Sequence, residues 1–474
     1  MNFNSLEFII FYPIVVLLNF LVPTKYRWIP LLIASSYFYI SQSAELFWLI
    51  VLTTTISYFS GILIEKKPEK KNLWLAVSVI ASLSVLIFFK YYNFLAGTIG
   101  AFTHTDLTLK LMLPVGISFY TFQTLSYSID VWRGNIEAER HFGYYSLFVC
   151  FFPQLVAGPI ERPENLLPQL KAEHKFSADD FEAGLKRMLA GYFKKIVVAD
   201  LVAKYVDSVF NSPETASGAG VMLASMLFAV QIYCDFSGYT DIAIGCARIM
   251  GYRLMQNFDR PYSAGNIKDF WSRWHISLTS WFKDYLYIPL GGNRKGKARM
   301  IANLFIVFLV SGLWHGADWT FVLWGALHGV YRVVGMLTYK KREEIWHKLG
   351  VDTKSKPMKI FRNVVTFLLV SFAWIFFRAN NTSDLLILLR KLFTSFIPNE
   401  TVMGLTLTAV VTIIASFILM ELIDRRYTLP ENLTPKDGAA ISVDSVMYLL
   451  WAIMFAWLIL KASGGSSAFI YFQF

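Results

Sequence analysis

Long apolar runs separated by short basic loops organise this chain. Stretches at Phe8–Val22, Leu73–Phe89, Ile301–Leu313, Val364–Phe377, Leu405–Leu419 and Val446–Leu460 approach the ~20 apolar residues that cross a bilayer as a helix. Between them lie Lys25/Arg27, Lys66/Lys67/Lys70/Lys71, Arg294/Lys295/Lys297/Arg299 and Lys340/Lys341/Arg342. Such loops stay on the cytoplasmic side under the positive-inside rule. The pattern predicts a first helix running inward, then a hairpin through Ser41–Glu45 that returns to the basic loop at Glu65–Lys71. The Leu73–Phe89 helix then runs outward. Ile301–Thr338 goes out and back, or dips in and returns, between two inside loops, and both termini come out extracytoplasmic.

The middle of the chain, Leu111 to Asp284, is less regular. Its apolar runs are broken at Leu113-Pro114-Val115-Gly116, Phe152-Pro153-Gln154 and Ala157-Gly158-Pro159. Non-helical backbone at membrane depth survives only where protein or a water-filled cavity shields it. This region therefore predicts a re-entrant core instead of simple spans. Phe176–Lys195 carries acids and bases in turn and reads as an amphipathic interfacial helix.

Composition supports this reading. The chain has 474 residues, 55% hydrophobic and 16% charged. A soluble domain carries about 25% charged residues, so the soluble class is excluded. The expected fold class is an all-α, polytopic integral membrane protein. It has about a dozen transmembrane or re-entrant helices in one domain, residues 1–474. Helices within 1–95 form the periphery, about 111–338 the core, and 360–474 the C-terminal part. No basic region precedes the first apolar run, so a cleaved signal peptide is not expected. The net charge of +11 resides in the loops and does not suggest a nucleic-acid partner. Cys150, Cys234 and Cys246 stand at unrelated spacings and read as small buried hydrophobes, with no metal site indicated.

Two histidines carry the candidate chemistry. His275 sits in Trp271-Ser272-Arg273-Trp274-His275-Ile276-Ser277, and His315 in Ser311-Gly312-Leu313-Trp314-His315-Gly316. An ionisable ring within a membrane segment is costly and marks a functional site by default. Imidazole titrates near neutrality and serves as a general base. The alternative is an interior histidine bonded to a backbone carbonyl, or, for His275, a polar residue at a helix end beside Arg273 and Asp269. His328 packs near the site or joins it. His104, His141, His174 and His347 fall in loops or at segment ends. Arg294 and Lys295 mark topology or bind the phosphates of a donor. Asp235, Asp241 and Arg248 line a polar passage or close the core through hydrogen bonds. Gly291-Gly292 lacks the Lys-Ser/Thr of a phosphate loop and reads as a turn.

Several ordered segments resemble the membrane-bound O-acyltransferase superfamily, in particular its bacterial alginate O-acetyltransferase branch. They are Leu113–Phe122, Ser126–Gly134, Val156–Ile160, Trp271–Leu278 running on through Trp281–Tyr285 to Pro289–Asn293, Gly312–Trp319, Trp324-Gly325, His328-Gly329 and Phe469–Phe474. The one departure is Asp318, where the family pattern has a neutral Asn. The resemblance implies helices arranged around a membrane tunnel. It implies His315 as the characteristic catalytic histidine, deep at a constriction, with His275 as its upstream polar partner toward the donor. It further implies transfer of an acetyl group from cytoplasmic acetyl-CoA, with no bound cofactor, to an extracytoplasmic polysaccharide such as alginate. An acetyl-accepting extracytoplasmic transferase protein would be the partner, and the inner (cytoplasmic) membrane the location. The alternatives are D-alanyl transfer to teichoic acids from a carrier protein, and a transporter of an acyl donor without chemistry.

Overall fold

Ser5 begins the first helix: its hydroxyl accepts the backbone N–H of Phe8 at 3.3 Å and caps Leu6–Leu21. From that cap onward the computed structural model is helical, with no strand among the described residues. Those residues are 1–396, apart from Ala157, together with scattered positions from Val411 to Asp424. Most of the apolar stretch at 405–419, all of 446–460 and the terminal 469–474 segment lie outside them. The described residues group into two compact units. One contains Met1–Tyr192 and Gly238–Met255, and the other contains residues 193–237 and those from 256 onward.

In the first unit, helices Thr24–Ser43 and Phe47–Lys66 form the expected hairpin. Helix Lys71–Leu86 continues through a wider turn, Ile87–Tyr91, into Tyr92–Thr103. Small and hydroxyl residues let these helices approach one another. A Cβ on Gly61 would come within 2.6 Å of the Tyr127 ring. Ser78 and Ser128 share a hydrogen bond of 2.6 Å, and Ser57 and Tyr145 one of 2.7 Å. Lipid-embedded helices gain little from burying apolar area against each other, so close packing and such bonds supply the association. The first helix is pinned where the Tyr12 hydroxyl donates to the Cys246 carbonyl at 2.9 Å and the Asn19 amide to that of Met250 at 3.0 Å.

In the second unit, Lys297–His315 and Trp319–Lys348 form an antiparallel hairpin with only Gly316, Ala317 and Asp318 between them. Gly312 and Gly325 meet at the crossing. A Cβ on either would lie 3.3 Å from the other's Cα and would strike the carbonyl of Phe321 or Phe308. Lys356–Arg378 packs against this hairpin, and Trp374 stacks on Trp324 at 5.7 Å and 17°.

Among the described residues, six helices are long and apolar enough to cross a membrane: Phe47–Lys66, Pro68–Thr103, Gly218–Ile249, Lys297–His315, Trp319–Lys348 and Lys356–Arg378. Short helices fill the region expected to be broken, among them Phe142–Cys150, Phe152–Leu155, Ile267–Arg273 and Ile276–Phe282. That expectation fails at one place. Gly218–Ile249 is a continuous helix of 32 residues in spite of Asp235, Asp241 and four glycines. Its carboxylates are neutralised by partners: Asp241 pairs with Arg187 at 3.0 Å, and Asp235 with Lys195. The amphipathic segment also differs from expectation. The helix covers Ala178–Tyr192, and Gly184 packs against Gly245 and Ile249. Lys194 and Lys195, expected on a wet polar face, are buried and ion-paired with Asp424, and with Asp235 and Asp200. All three cysteines are buried, as read from the sequence.

Candidate active site

The first histidine is set by a break between two short helices. Ile267–Arg273 begins at Asn266, whose side chain accepts the N–H of Asp269 at 3.0 Å, and it stops at Trp274 in extended backbone. His275 then turns left-handed, φ 44° and ψ 56°, and starts helix Ile276–Phe282. For a residue with a Cβ that conformation costs about 1–2 kcal/mol, so its surroundings must hold it there. Asn257 does so, from a segment outside any helix. Its carbonyl accepts the N–H of Ile276 at 2.9 Å. Its side-chain Oδ1 accepts the Ser277 hydroxyl at 2.9 Å and the Ser277 N–H at 3.3 Å, and lies 3.1 Å from His275 Nδ1. The imidazole is fully buried, edge-on to Phe236 at 4.8 Å and Trp314 at 5.8 Å.

The second histidine is the last residue of helix Lys297–His315 and is 3% exposed. Its ring stands perpendicular to Trp324 at 5.2 Å and near-perpendicular to Phe377 at 5.4 Å. Residues 40 positions apart in sequence thus meet: the imidazoles of His275 and His315 are 6.3 Å apart between centroids, inclined at 60°. Aromatic rings from four helices surround the pair. A low-dielectric enclosure of this kind strengthens hydrogen bonds to charge that develops during a reaction.

A model of the membrane-bound O-acyltransferase family matches residues 139–349, a span that holds both histidines and Asn257. A protein of Azotobacter vinelandii named "Probable alginate O-acetylase AlgI" is 33% identical over 100% of both chains. The chain belongs to the membrane-bound O-acyltransferase family. It is a multi-pass membrane O-acyltransferase. Two further relatives widen the range of acceptors. The "Peptidoglycan O-acetyltransferase" of Helicobacter pylori is 36% identical over 76% of this chain and 72% of its own. The "Teichoic acid D-alanyltransferase" of Bacillus subtilis is 28% identical over 67% and 81%.

The other candidates of this acyltransferase fall into place around the pair or away from it. His328 is buried and accepts the Trp271 indole N–H at Nδ1, 3.2 Å away; it packs edge-on to Trp324 at 5.0 Å. His104, His141 and His347 are exposed, and His141 caps the helix it precedes. His174 is half-buried and bonded to the Gln169 carbonyl at 2.7 Å. Asp318 accepts the Thr320 N–H at 2.8 Å and caps Trp319–Lys348, a task Asn performs equally well. Asp235, Asp241 and Arg248 take the structural alternative: each is held in an ion pair, Arg248 with Asp180 at 3.2 Å. Arg294 and Lys295 are not brought to the histidines. They occupy an exposed turn just before residue 297, and His315 ends the same helix. At about 1.5 Å per residue the two places are separated by roughly 27 Å. Asn257 was missed in the sequence because Met255-Gln256-Asn257-Phe258 matches no motif and has no periodicity.

Proposed function

We propose that this enzyme moves an acetyl group from acetyl-CoA on the cytoplasmic side to the opposite face of the inner membrane, for O-acetylation of an extracytoplasmic polysaccharide such as alginate. The observation that carries the reading is the buried contact between His275 and His315. In this reading His315 takes the proton of the attacking hydroxyl as its oxygen bonds to the thioester carbonyl carbon. The carbon–sulfur bond breaks, and the departing thiolate receives a proton. General-base help of this kind is worth about 10²–10⁴-fold in rate. His275 orients the hydroxyl or the acyl carbonyl. Arg294 and Lys295 meet the phosphates of the donor at the surface, and the thioester reaches inward from there. An extracytoplasmic transferase with a hydroxyl nucleophile takes the acetyl group onward.

Relatives named for O-acetyl transfer match more of this chain, at higher identity, than those named for D-alanyl transfer. That ordering supports acetyl as the group carried. The test uses the purified enzyme in lipid nanodiscs with labelled acetyl-CoA and alginate, with and without a candidate transferase partner. Label should reach the polysaccharide with wild type and fall at least about 100-fold with His315→Ala. Transfer unchanged in His315→Ala overturns the assignment of the base. Transfer only from a D-alanyl-loaded carrier protein overturns the donor.

A further inference from the structure

We propose that Asn257 is a positioning residue that fixes His275 as the Nδ1–H tautomer, so that Nε2 carries the lone pair and accepts the hydrogen bond of the attacking hydroxyl. This rests on the proposed role of the histidine pair and narrows it. Asn257 is fully buried. The orientation of its amide follows from its partners: one atom faces both the Ser277 backbone N–H at 3.3 Å and the Ser277 hydroxyl at 2.9 Å. A backbone N–H only donates, so the atom facing it is the carbonyl oxygen. That oxygen only accepts, so His275 Nδ1, 3.1 Å from it, carries a proton. A neutral imidazole protonated at Nδ1 has its lone pair on Nε2. The Asn257 carbonyl also holds the Ile276 N–H at 2.9 Å, which keeps the left-handed backbone that aims the ring.

This tautomer decides between the roles open to His275. Stabilising an oxyanion through Nε2 requires a proton on that nitrogen, and here there is none. Accepting a hydrogen bond from the hydroxyl requires the lone pair, and here it is present. The hydroxyl has one proton, shared at rest between the lone pair of His275 Nε2 and His315, and it passes to His315 as the oxygen attacks. Asn257 supplies a neutral acceptor opposite Nδ1–H, where a carboxylate would raise the basicity of the ring. Charged and titratable groups on the surrounding elements include His315 itself, the Asp235–Lys195 pair next to Phe236, Asp259 and Arg260 just after Asn257, and Arg273 two positions before His275.

The direct test is ¹⁵N spectroscopy of histidine-labelled full-length enzyme in nanodiscs, with His275→Gln used to assign the signal. A protonated Nδ1 and a bare Nε2 are expected, and the reverse tautomer overturns the proposal. The kinetic test follows labelled acetyl-CoA turnover in Asn257→Ala and Asn257→Asp, each checked for a wild-type gel-filtration profile. Asn257→Ala should lower kcat about 10–100-fold, the range for losing a residue that orients a reactive histidine, with KM for acetyl-CoA within about 2-fold. Asn257→Asp should restore part of kcat and move the acid limb of the pH profile up by roughly 1 unit, because the carboxylate favours the imidazolium. An unmoved acid limb, or full activity in Asn257→Ala, overturns the proposal. Full activity in His275→Ala overturns instead the role of the histidine pair, and the spectroscopic result stands apart from it.

Discussion

Single residues in this enzyme hold conformations and charges that their own chemistry disfavours, and in each case a partner explains why. His275 is left-handed because Asn257 grips the backbone on its C-terminal side. Glu161, outside the six spanning helices, is buried and accepts hydrogen bonds from the Met255 N–H and from the Asn165 amide at 2.7 Å. Burial pushes its carboxyl from 4.5 up to about 7. The folded state therefore holds a proton that the unfolded chain releases at lower pH. Stability from this group is complete below pH 4.5 and is lost as pH rises through 7. Glu161→Gln should flatten that dependence: the wild type should lose thermal stability between pH 5 and pH 8, and the variant should lose less. Melting curves in detergent across that range check it, and parallel curves for the two proteins would refute it. The two histidines were legible in the sequence because Trp-His next to Gly or Ile in apolar surroundings is conspicuous. Asn257 was not, because its value lies in contacts with residues 18 to 20 positions away.

At the scale of elements, the hairpin Lys297–His315/Trp319–Lys348 sets where His315 stands. Gly312 on one helix, and Gly325 and Gly329 on the other, are small residues of the kind that let membrane helices touch. Gly325→Val should drive its side chain into the Phe308 carbonyl and part the helices. Overpacking of this sort costs about 1–3 kcal/mol. A lower melting temperature with loss of acyl transfer is the expected outcome, and activity retained at wild-type level would show that the crossing does not position the site. Asp318→Ala removes only the cap on Trp319–Lys348 and should cost about 1 kcal/mol, read as a small drop in melting temperature. Asp318→Asn should restore it. Short helices lie at two of the breaks in the middle of the chain, Phe142–Cys150 and Phe152–Leu155, although Pro13 and Pro30 are accommodated inside Leu6–Leu21 and Thr24–Ser43. Gly218–Ile249 was hidden in the sequence. Periodicity sees Asp235 and Asp241 as interruptions, and their ion pairs come from Lys195 and Arg187, 40 and 54 positions away.

For the whole molecule, the distribution of charge makes a demand that the donor chemistry must meet. Lys66, Lys67, Lys70 and Lys71 are exposed on the turn after Phe47–Lys66, and Arg294, Lys295, Lys297 and Arg299 on the turn before the His315 helix. Both turns should face the cytoplasm, since short loops rich in Lys and Arg are retained there. The exposed loop at Thr105, after the Pro68–Thr103 span, should face outward. The native cysteines are buried, so single cysteines placed at Lys67, Lys295 and Thr105 report sidedness with an impermeant maleimide on intact cells. Thr105→Cys should label at once, and Lys67→Cys and Lys295→Cys only after permeabilisation. Immediate labelling at Lys295 would place Arg294 and Lys295 on the side away from cytoplasmic acetyl-CoA and remove them as donor-phosphate residues. With the basic turn inside, a helix of 19 residues, roughly 28 Å long, carries the chain from that turn to His315 across nearly the whole ~30 Å hydrocarbon thickness. An acetyl group handed over at His315 would then have only a short distance left to an acceptor on the far face.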